Sequence, residues 1–133
     1  MNLKLEVLQW QLAICRLDPG DPIPQWALEC PFFSVTRTPE ELSILCCEDS
    51  IPPEIQHEGG WRGMKVQGPL PFTLTGVISS LSDPLAEAGI PIFVLSTFDT
   101  DYVLVKWIDL DRAVIVLREE GHEVESGIGD IGD

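Results

Sequence analysis

Two aspartates flank a threonine in residues 97–101, and their spacing suits the binding of a cationic group. Asp99 and Asp101 lie between two runs of strand-forming residues, which predicts a hairpin turn. A carboxylate at such a turn can accept charge-assisted hydrogen bonds from an ammonium group. The alternative is ordinary turn chemistry, in which these aspartates, Thr97 and Thr100 satisfy the backbone and face water.

A predicted helix start lies upstream of this turn. Apolar residues recur at helical spacing over residues 74–85, and Thr73 is the predicted N-cap. The free N–H groups and the dipole at a helix start bind carboxylates. Gly76 would let a ligand approach the backbone closely. An amino acid, which offers one carboxylate and one ammonium, would therefore fit between this helix start and the turn.

The other reactive side chains give no catalytic or metal-binding pattern. The four cysteines form no CxxC pair, and Cys46 and Cys47 on a strand would point to opposite faces, which disfavours joint metal ligation. We therefore expect reduced thiols packed in a core. His57 and His122 lack the neighbours of a catalytic dyad, and nucleotide-binding and hydrolase motifs are absent from the sequence. We predict no catalytic residue, no metal and no cofactor.

The chain is evenly acidic, with a net charge of −14 at pH 7. Residues 1–60 hold ten acids and three bases, and residues 61–133 hold twelve and five. Such a surface repels nucleic acids and anionic membranes, so neither is an expected partner. No apolar run reaches the roughly 20 residues of a membrane helix. The N-terminus lacks the features of a secretory signal, and we therefore predict a cytoplasmic protein.

The hydrophobic pattern predicts short strands that alternate with helices. Strands are predicted at 3–17, 32–36, 42–47, 61–67, 90–95, 102–107 and 122–125, with helices at 23–28, 73–89 and 109–120. Pro84 lies inside the second helix and predicts a kink or restart. Residues 50–60 have the composition of a linker. The second half thus has the ferredoxin-like order β-α-β-β-α-β, and the first half repeats its opening.

A shift of 60 residues aligns the two halves of the chain. It places Pro24 on Pro84, Phe33 on Phe93, Glu41 on Asp101, Ile44 on Leu104 and Leu45 on Val105. Chance matching of hydrophobic strands is the alternative to duplication. We predict an α+β fold of two fused ferredoxin-like units, with mostly antiparallel sheets and helices on one face. The units are an abbreviated N-terminal unit with its linker (1–59) and a C-terminal unit (60–125), followed by a flexible tail (126–133).

Residues 76–105, GVISSLSDPLAEAGIPIFVLSTFDTDYVLV, resemble the ACT family, in the branch shared by aspartate-kinase regulatory regions and the CASTOR arginine sensors. The most specific part is AEAGI followed by a strand and STFDTD. The segments SVTRTPEELSILC and GWRGMKVQGPLPF are also similar to small bacterial tandem-ACT proteins of this branch. The resemblance covers nearly the whole chain. It implies the fold predicted above and the binding of a small effector, usually an amino acid, at an interface between ACT units.

The resemblance also implies which residues bind the effector. In sensor-like members, the turn that matches residues 97–101 and the loop that matches residues 71–76 contribute to the pocket. With the helix start, the predicted ligand-binding set is Thr73, Thr75, Gly76, Thr97, Phe98, Asp99, Thr100 and Asp101. Arginine-sensing members have an acid just before the helix glycine, where this chain has Leu74, and Thr100 replaces their aromatic residue in the turn. We therefore expect an effector that is smaller or less basic than arginine.

Two function classes remain open. The first is a regulatory module, not an enzyme, that binds an amino acid or a similar effector. The second is a ligand-free structural or protein-interaction module with the same fold. We expect a homodimer in either case, because units of this size expose sheet edges and apolar helix faces.

Overall fold

A computed structural model describes residues 1–71 and 73–126, which form two compact units. One unit, here called the C-terminal unit, contains Met1–Gln9 and the chain from Arg62 onward, and the N-terminal unit is Trp10–Trp61. This division differs from the predicted boundary at residue 59, because the first strand, β1 (Lys4–Leu17), begins in one unit and ends in the other. The predicted tail lies outside the described residues, apart from residue 126.

The α+β class is confirmed, and most elements lie where the sequence predicts them. The strands are β1 (Lys4–Leu17), β2 (Ser34–Arg37), β3 (Leu42–Cys47), β4 (His57–Val66), β5 (Ile92–Ser96), β6 (Asp101–Lys106) and β7 (Glu123–Glu125). The α-helices are α1 (Val77–Glu87) and α2 (Leu110–Glu119), with 3₁₀ turns at Gln25–Leu28, Glu48–Ser50 and Trp107–Asp109. The predicted linker at 50–60 is partly wrong, because residues 57–60 already belong to β4.

The sheet of the C-terminal unit has the strand order β7-β1-β4-β6-β5. The elements β4, α1, β5, β6, α2 and β7 follow the predicted ferredoxin-like sequence order. However, the start of β1 lies between β4 and β7, and it pairs in parallel with β7 so that Leu5 lies opposite Val124. Residues 60–125 therefore do not form this sheet alone, since the N-terminal end of the chain supplies one of its inner strands.

Both helices of the C-terminal unit cover one face of that sheet. Alternate strand residues share a face, and those that meet the helices form the core: Leu3, Leu5, Val7, Met64, Val66, Val103, Val105 and Val124. The helices contribute Val77, Leu81, Leu85, Leu110, Ala113, Val114 and Leu117. Each large aliphatic side chain buried there stabilises the fold by about 1.5–3 kcal/mol.

Helix α1 continues through Pro84 without a restart, and a histidine explains how. Proline has no N–H to donate to the carbonyl four residues earlier, which belongs to Ser80. That oxygen is 3.2 Å from Nε2 of the buried His122, whose Nδ1 accepts a hydrogen bond from the Leu3 N–H (3.0 Å). A neutral imidazole with its proton on Nε2 therefore satisfies both groups. The helix then ends as predicted at Gly89, which has a φ of 75°.

The sheet of the N-terminal unit has the order β2-β3-β1-β4. β3 is antiparallel to both β1 and β2. The Gln25–Leu28 turn replaces the predicted short helix and packs on β3. Among the described residues of this unit, helical structure is limited to 3₁₀ turns.

The prediction that all cysteines stay reduced is wrong for two of them. Cys30 and Cys47 form a disulfide, with their Cα atoms 5.5 Å apart. The pair is 17 residues apart and meets only because the Gln25–Leu28 turn folds back on β3, which no sequence pattern announces. Cys15 and Cys46 are free and buried. A thiol–thiol hydrogen bond to Cys46, together with burial, raises the pKa of Cys15, which disfavours its reactive thiolate form.

The two hairpins β2–β3 and β5–β6 have the same strand register. Arg37 lies opposite Leu42 at the closed end of the first hairpin, and Ser96 lies opposite Asp101 at the closed end of the second. Residues 44–46 of β3 and 103–105 of β6 are buried at the same positions of their strands. Each hairpin continues into a 3₁₀ turn, at Glu48–Ser50 and Trp107–Asp109.

The turns of these hairpins also match, and they correct the predicted alignment. In each turn the N–H of the first threonine donates to the carbonyl three residues later, from Thr38 to Glu41 and from Thr97 to Thr100, both at 2.8 Å. The equivalent positions therefore differ by 59 residues and not by 60. Glu41 corresponds to Thr100, and the prediction that it corresponds to Asp101 is wrong. Matching by residue type missed the one-residue offset that the backbone hydrogen bonds define.

Candidate ligand-binding site

The turn at residues 97–100 is held rigidly by its own hydrogen bonds. Thr97 Oγ1 donates to the Thr100 carbonyl (3.2 Å) and accepts from the Thr100 N–H (3.3 Å). The Asp99 carbonyl accepts from the Leu70 N–H (2.8 Å), which joins the turn to the loop before α1. The loop approaches so closely that a Cβ on Gly68 would lie 3.0 Å from the Asp99 carbonyl oxygen. This hydrogen bond and this close approach therefore hold the turn and the loop together as one arrangement.

Thr100 lies beneath this arrangement and has a structural role. Its side chain is 3% exposed, and its hydroxyl donates to the Val66 carbonyl (2.6 Å) at the end of β4. A hydroxyl has one proton to donate. The hydroxyl of Thr100 therefore anchors the turn to the sheet, and it can serve a ligand only as an acceptor.

Asp101 is half-buried at the first position of β6, and one of its oxygens is fixed. Its Oδ1 accepts a hydrogen bond from the Ser96 hydroxyl (2.6 Å) across the closing pair of the hairpin. Within the described part of the chain, Oδ2 has no hydrogen-bond donor. Asp101 therefore combines a restrained position with a carboxylate oxygen that can accept from a ligand, whereas Asp99 is exposed.

The helix start differs from the prediction in its position. α1 begins at Val77 with Gly76 as its N-cap, so the prediction of Thr73 as N-cap is wrong. The Leu74 N–H donates to the Pro71 carbonyl (3.0 Å), upstream of this helix start. Gly76 has a φ of 82°, a left-handed conformation that side chains rarely adopt. It forms no side-chain cap, so the first N–H groups of α1 lack the usual intrahelical and side-chain acceptors.

These elements enclose a cleft of about 240 Å³ in the C-terminal unit. The described residues that line it are Leu70, Pro71, Leu74, Val77, Ser96, Thr97, Phe98, Asp99, Thr100 and Asp101. The structure thus brings the five predicted turn residues together, and Thr73, Thr75 and Gly76 are not among its lining residues. The apolar wall of Leu70 and Val77 was missed, although their place beside the predicted loop was a usable signal.

The other reactive groups of the described residues do not form a metal-binding cluster. His57 is exposed, and its Nδ1 lies 2.7 Å from the Ile55 carbonyl oxygen. Within residues 1–71 and 73–126, no group of three or more histidine, cysteine or acidic side chains could hold a metal ion. No helix in this part of the chain is both long and apolar enough to cross a membrane.

Comparison with known proteins identifies the family of this fold and cleft. A family model described as an ACT domain matches residues 56–119, and a second model, for an N-terminal domain, matches residues 11–54. The crystal structure of protein Atu0741 from Agrobacterium tumefaciens is 42% identical, covers 93% of this chain and 92% of that chain, and has a TM-score of 0.88. This chain belongs to the ACT-domain family.

Two further matches define the branch of this ACT protein. The Bos taurus protein named cytosolic arginine sensor for mTORC1 subunit 1 is 32% identical over an alignment of 102 residues, and the match covers 68% of this chain and 31% of the sensor. The regulatory subunit of aspartate kinase from Thermus thermophilus has a TM-score of 0.60 at 12% identity, with 87% of this chain and 96% of that chain covered, and it shares the fold. The ACT protein is therefore of the aspartate-kinase regulatory and CASTOR-like branch. It spans 64% or less of the length of the curated relatives it matches first.

Proposed function

We propose that this ACT protein is a regulatory module whose C-terminal unit binds a small effector, an amino acid, in the cleft at residues 97–101. The observation that carries the proposal is the composition of this cleft. It brings an acidic turn, a helix start without a side-chain cap and an apolar wall into a volume of about 240 Å³. A zwitterion with an apolar side chain needs these three environments.

Each part of an amino acid has a counterpart in the cleft. The ammonium donates to Asp101 Oδ2, and Asp99 adds a second negative charge nearby. The carboxylate accepts from the N–H groups at the start of α1, beside Val77, where the helix dipole also favours an anion. The side chain packs on Leu70 and Leu74. Leu74 offers no charge for a guanidinium, which supports an effector less basic than arginine.

The proposal extends to the oligomeric state, the location and the regulatory role of the protein. The module acts as a homodimer in the cytoplasm and regulates a partner without catalysing a reaction itself. The name of the bovine relative, a cytosolic arginine sensor, supports the location and the sensing role. Light scattering at high micromolar concentration tests the dimer, and a monomer mass would contradict it.

A thermal-shift screen against the twenty amino acids tests the proposed function. At 100 times its dissociation constant, a ligand adds about 2.7 kcal/mol to the stability of the protein, which raises the melting temperature on the order of 10 °C. We expect a small or aliphatic amino acid to give this shift and Asp101→Asn to reduce it by about half or more. Glu87→Gln, which removes an exposed acid on α1, is the matched control and should respond like the natural chain. No shift with any amino acid contradicts the proposal.

A second candidate function is a ligand-free interaction module, and one observation favours it. Phe98 in the turn is 78% exposed, and Leu74, which also lines the cleft, is 41% exposed. Exposed aromatic and aliphatic side chains around a cleft are common where another protein docks. If no amino acid stabilises the protein and Phe98→Ser disrupts the dimer, the interaction module becomes the better account.

A further inference from the structure

A second cleft in the C-terminal unit contains an arginine without a counterion. The cleft has a volume of about 250 Å³, and none of its described lining residues belongs to the cleft at residues 97–101. Its described lining residues are Arg62, Trp107, Ile108, Leu110 and Asp111. Arg62 lies in β4, and the other four belong to the segment that enters α2.

The guanidinium of Arg62 has a donor that no described residue accepts from. Its Nη2 donates to the Leu8 carbonyl (2.7 Å), but its Nε is buried and, among the described residues, has no acceptor. No described carboxylate lies within ion-pair distance of it, although the chain carries 22 acids. Burial lowers the pKa of Arg62 from its usual value, and the group still remains charged. A buried donor without an acceptor destabilises the fold, and a bound anion would supply an acceptor for the guanidinium.

The walls of this cleft are apolar and open to solvent. Trp107 is 60% exposed and Ile108 is 74% exposed, so both offer area that a ligand can cover. By contrast, Arg112 of α2 pairs with Asp109 (3.4 Å) and donates to the Ala88 carbonyl. Unlike Arg112, Arg62 thus has no carboxylate partner among the described residues, and its charge is available to another molecule.

We propose that this cleft binds a monocarboxylate that carries an apolar group. The carboxylate accepts hydrogen bonds from the Arg62 guanidinium, and the apolar group packs on Trp107 and Ile108. Asp111, which also lines the cleft, repels a second negative charge, so the site discriminates against dicarboxylates. The proposal does not depend on the amino-acid cleft, whose charged side chains, Asp99 and Asp101, are acids.

NMR titration of the ¹⁵N-labelled chain tests the site, with the indole N–H signal of Trp107 assigned from Trp107→Phe. The probe is 4-methylpentanoate, compared with its uncharged amide and with 3-methylglutarate at constant pH and ionic strength. The monoacid should shift the Trp107 signal saturably. The amide and the diacid should bind at least tenfold more weakly.

Two arginine variants separate the site from general charge. Arg62→Gln should weaken binding of the monoacid about tenfold to a hundredfold. Arg16→Gln, which removes an exposed arginine of the N-terminal unit, should leave it unchanged. Equal binding of acid and amide, equal binding to the Arg62→Gln and natural chains, or no saturable shift overturns the proposal. Sedimentation of both chains identifies the source of the carboxylate: unchanged behaviour assigns a free acid, and loss of self-association in Arg62→Gln assigns a carboxylate of a second copy.

Discussion

The hairpins β2–β3 and β5–β6 share one register and one turn geometry, yet they are covered in different ways. In the C-terminal unit, two α-helices pack on the sheet face of the hairpin. In the N-terminal unit, a 3₁₀ turn packs on β3, and the Cys30–Cys47 disulfide ties the following chain to that strand. The same strand–turn–strand therefore tolerates two different coverings.

This difference explains why the cleft that we propose as the ligand site belongs to one hairpin. The turn at residues 97–100 faces the start of α1, whereas the described residues before β2 contain no α-helix. At the closing position, Asp101 supplies a carboxylate where the equivalent residue, Leu42, is fully buried and apolar. The proposed site thus lies at the hairpin where a helix start and an acid are both present.

The equivalence of the two hairpins predicts matched large effects in their cores. Leu45 and Leu104 occupy the same position and are both buried. Truncation of either to alanine should lower the free energy of unfolding by about 2–5 kcal/mol, from lost burial and the cavity left behind. Urea denaturation of the two variants measures this. If one variant loses less than about 1 kcal/mol, the hairpins are not equivalent in packing.

The disulfide should stabilise only the covering of the N-terminal hairpin. Cys47→Ser removes a crosslink that spans 17 residues, and this should lower the free energy of unfolding by about 3 kcal/mol. Alkylation of the denatured, unreduced chain should modify two thiols, those of Cys15 and Cys46. Modification of all four cysteines before reduction would show that the disulfide is absent. The N-terminal hairpin would then not be covered in the way described above.

The prolines that the sequence alignment pairs should behave differently. Pro24 precedes a 3₁₀ turn, whereas Pro84 lies inside α1 and leaves the Ser80 carbonyl to His122. His122→Ala should therefore lower the free energy of unfolding by about 2 kcal/mol. In a Pro84→Ala background the restored N–H can bond the carbonyl of Ser80, so the cost of His122→Ala should be smaller. Equal costs in both backgrounds would mean that the histidine does not replace this bond.

The turn threonines should make equal and smaller contributions. Thr38 Oγ1 accepts from the Glu41 N–H (3.1 Å), as Thr97 Oγ1 accepts from the Thr100 N–H (3.3 Å). Substitution of either threonine by valine should reduce the stability by about 1 kcal/mol. Differential scanning calorimetry would reveal a loss confined to one turn, and such a result would limit the equivalence to the strands.

The sequence predicted what depends on local pattern. The hydrophobic periodicity located α1, α2 and the long β1, and the turn residues located residues 97–100. It could not predict that β1 completes the C-terminal sheet, because strand order depends on long-range pairing. The same limit applies to the site. The five turn residues were found from their types, whereas Val77 and Leu70 line the cleft only because of the way the loop folds. The disulfide was missed for the same reason, since Cys30 and Cys47 meet only through tertiary structure.

The most direct test of the proposed function combines calorimetric affinity and melting temperature for Asp101→Ala. We expect the affinity for the effector found by screening to fall about tenfold to a hundredfold, because a charge-assisted hydrogen bond is lost. Stability should fall by at most about 1 kcal/mol, from the lost bond to Ser96. Ser96→Ala, which removes that bond but keeps the carboxylate, should retain most of the affinity. Unchanged affinity with a lower melting temperature would contradict the account and leave Asp101 as a turn residue alone.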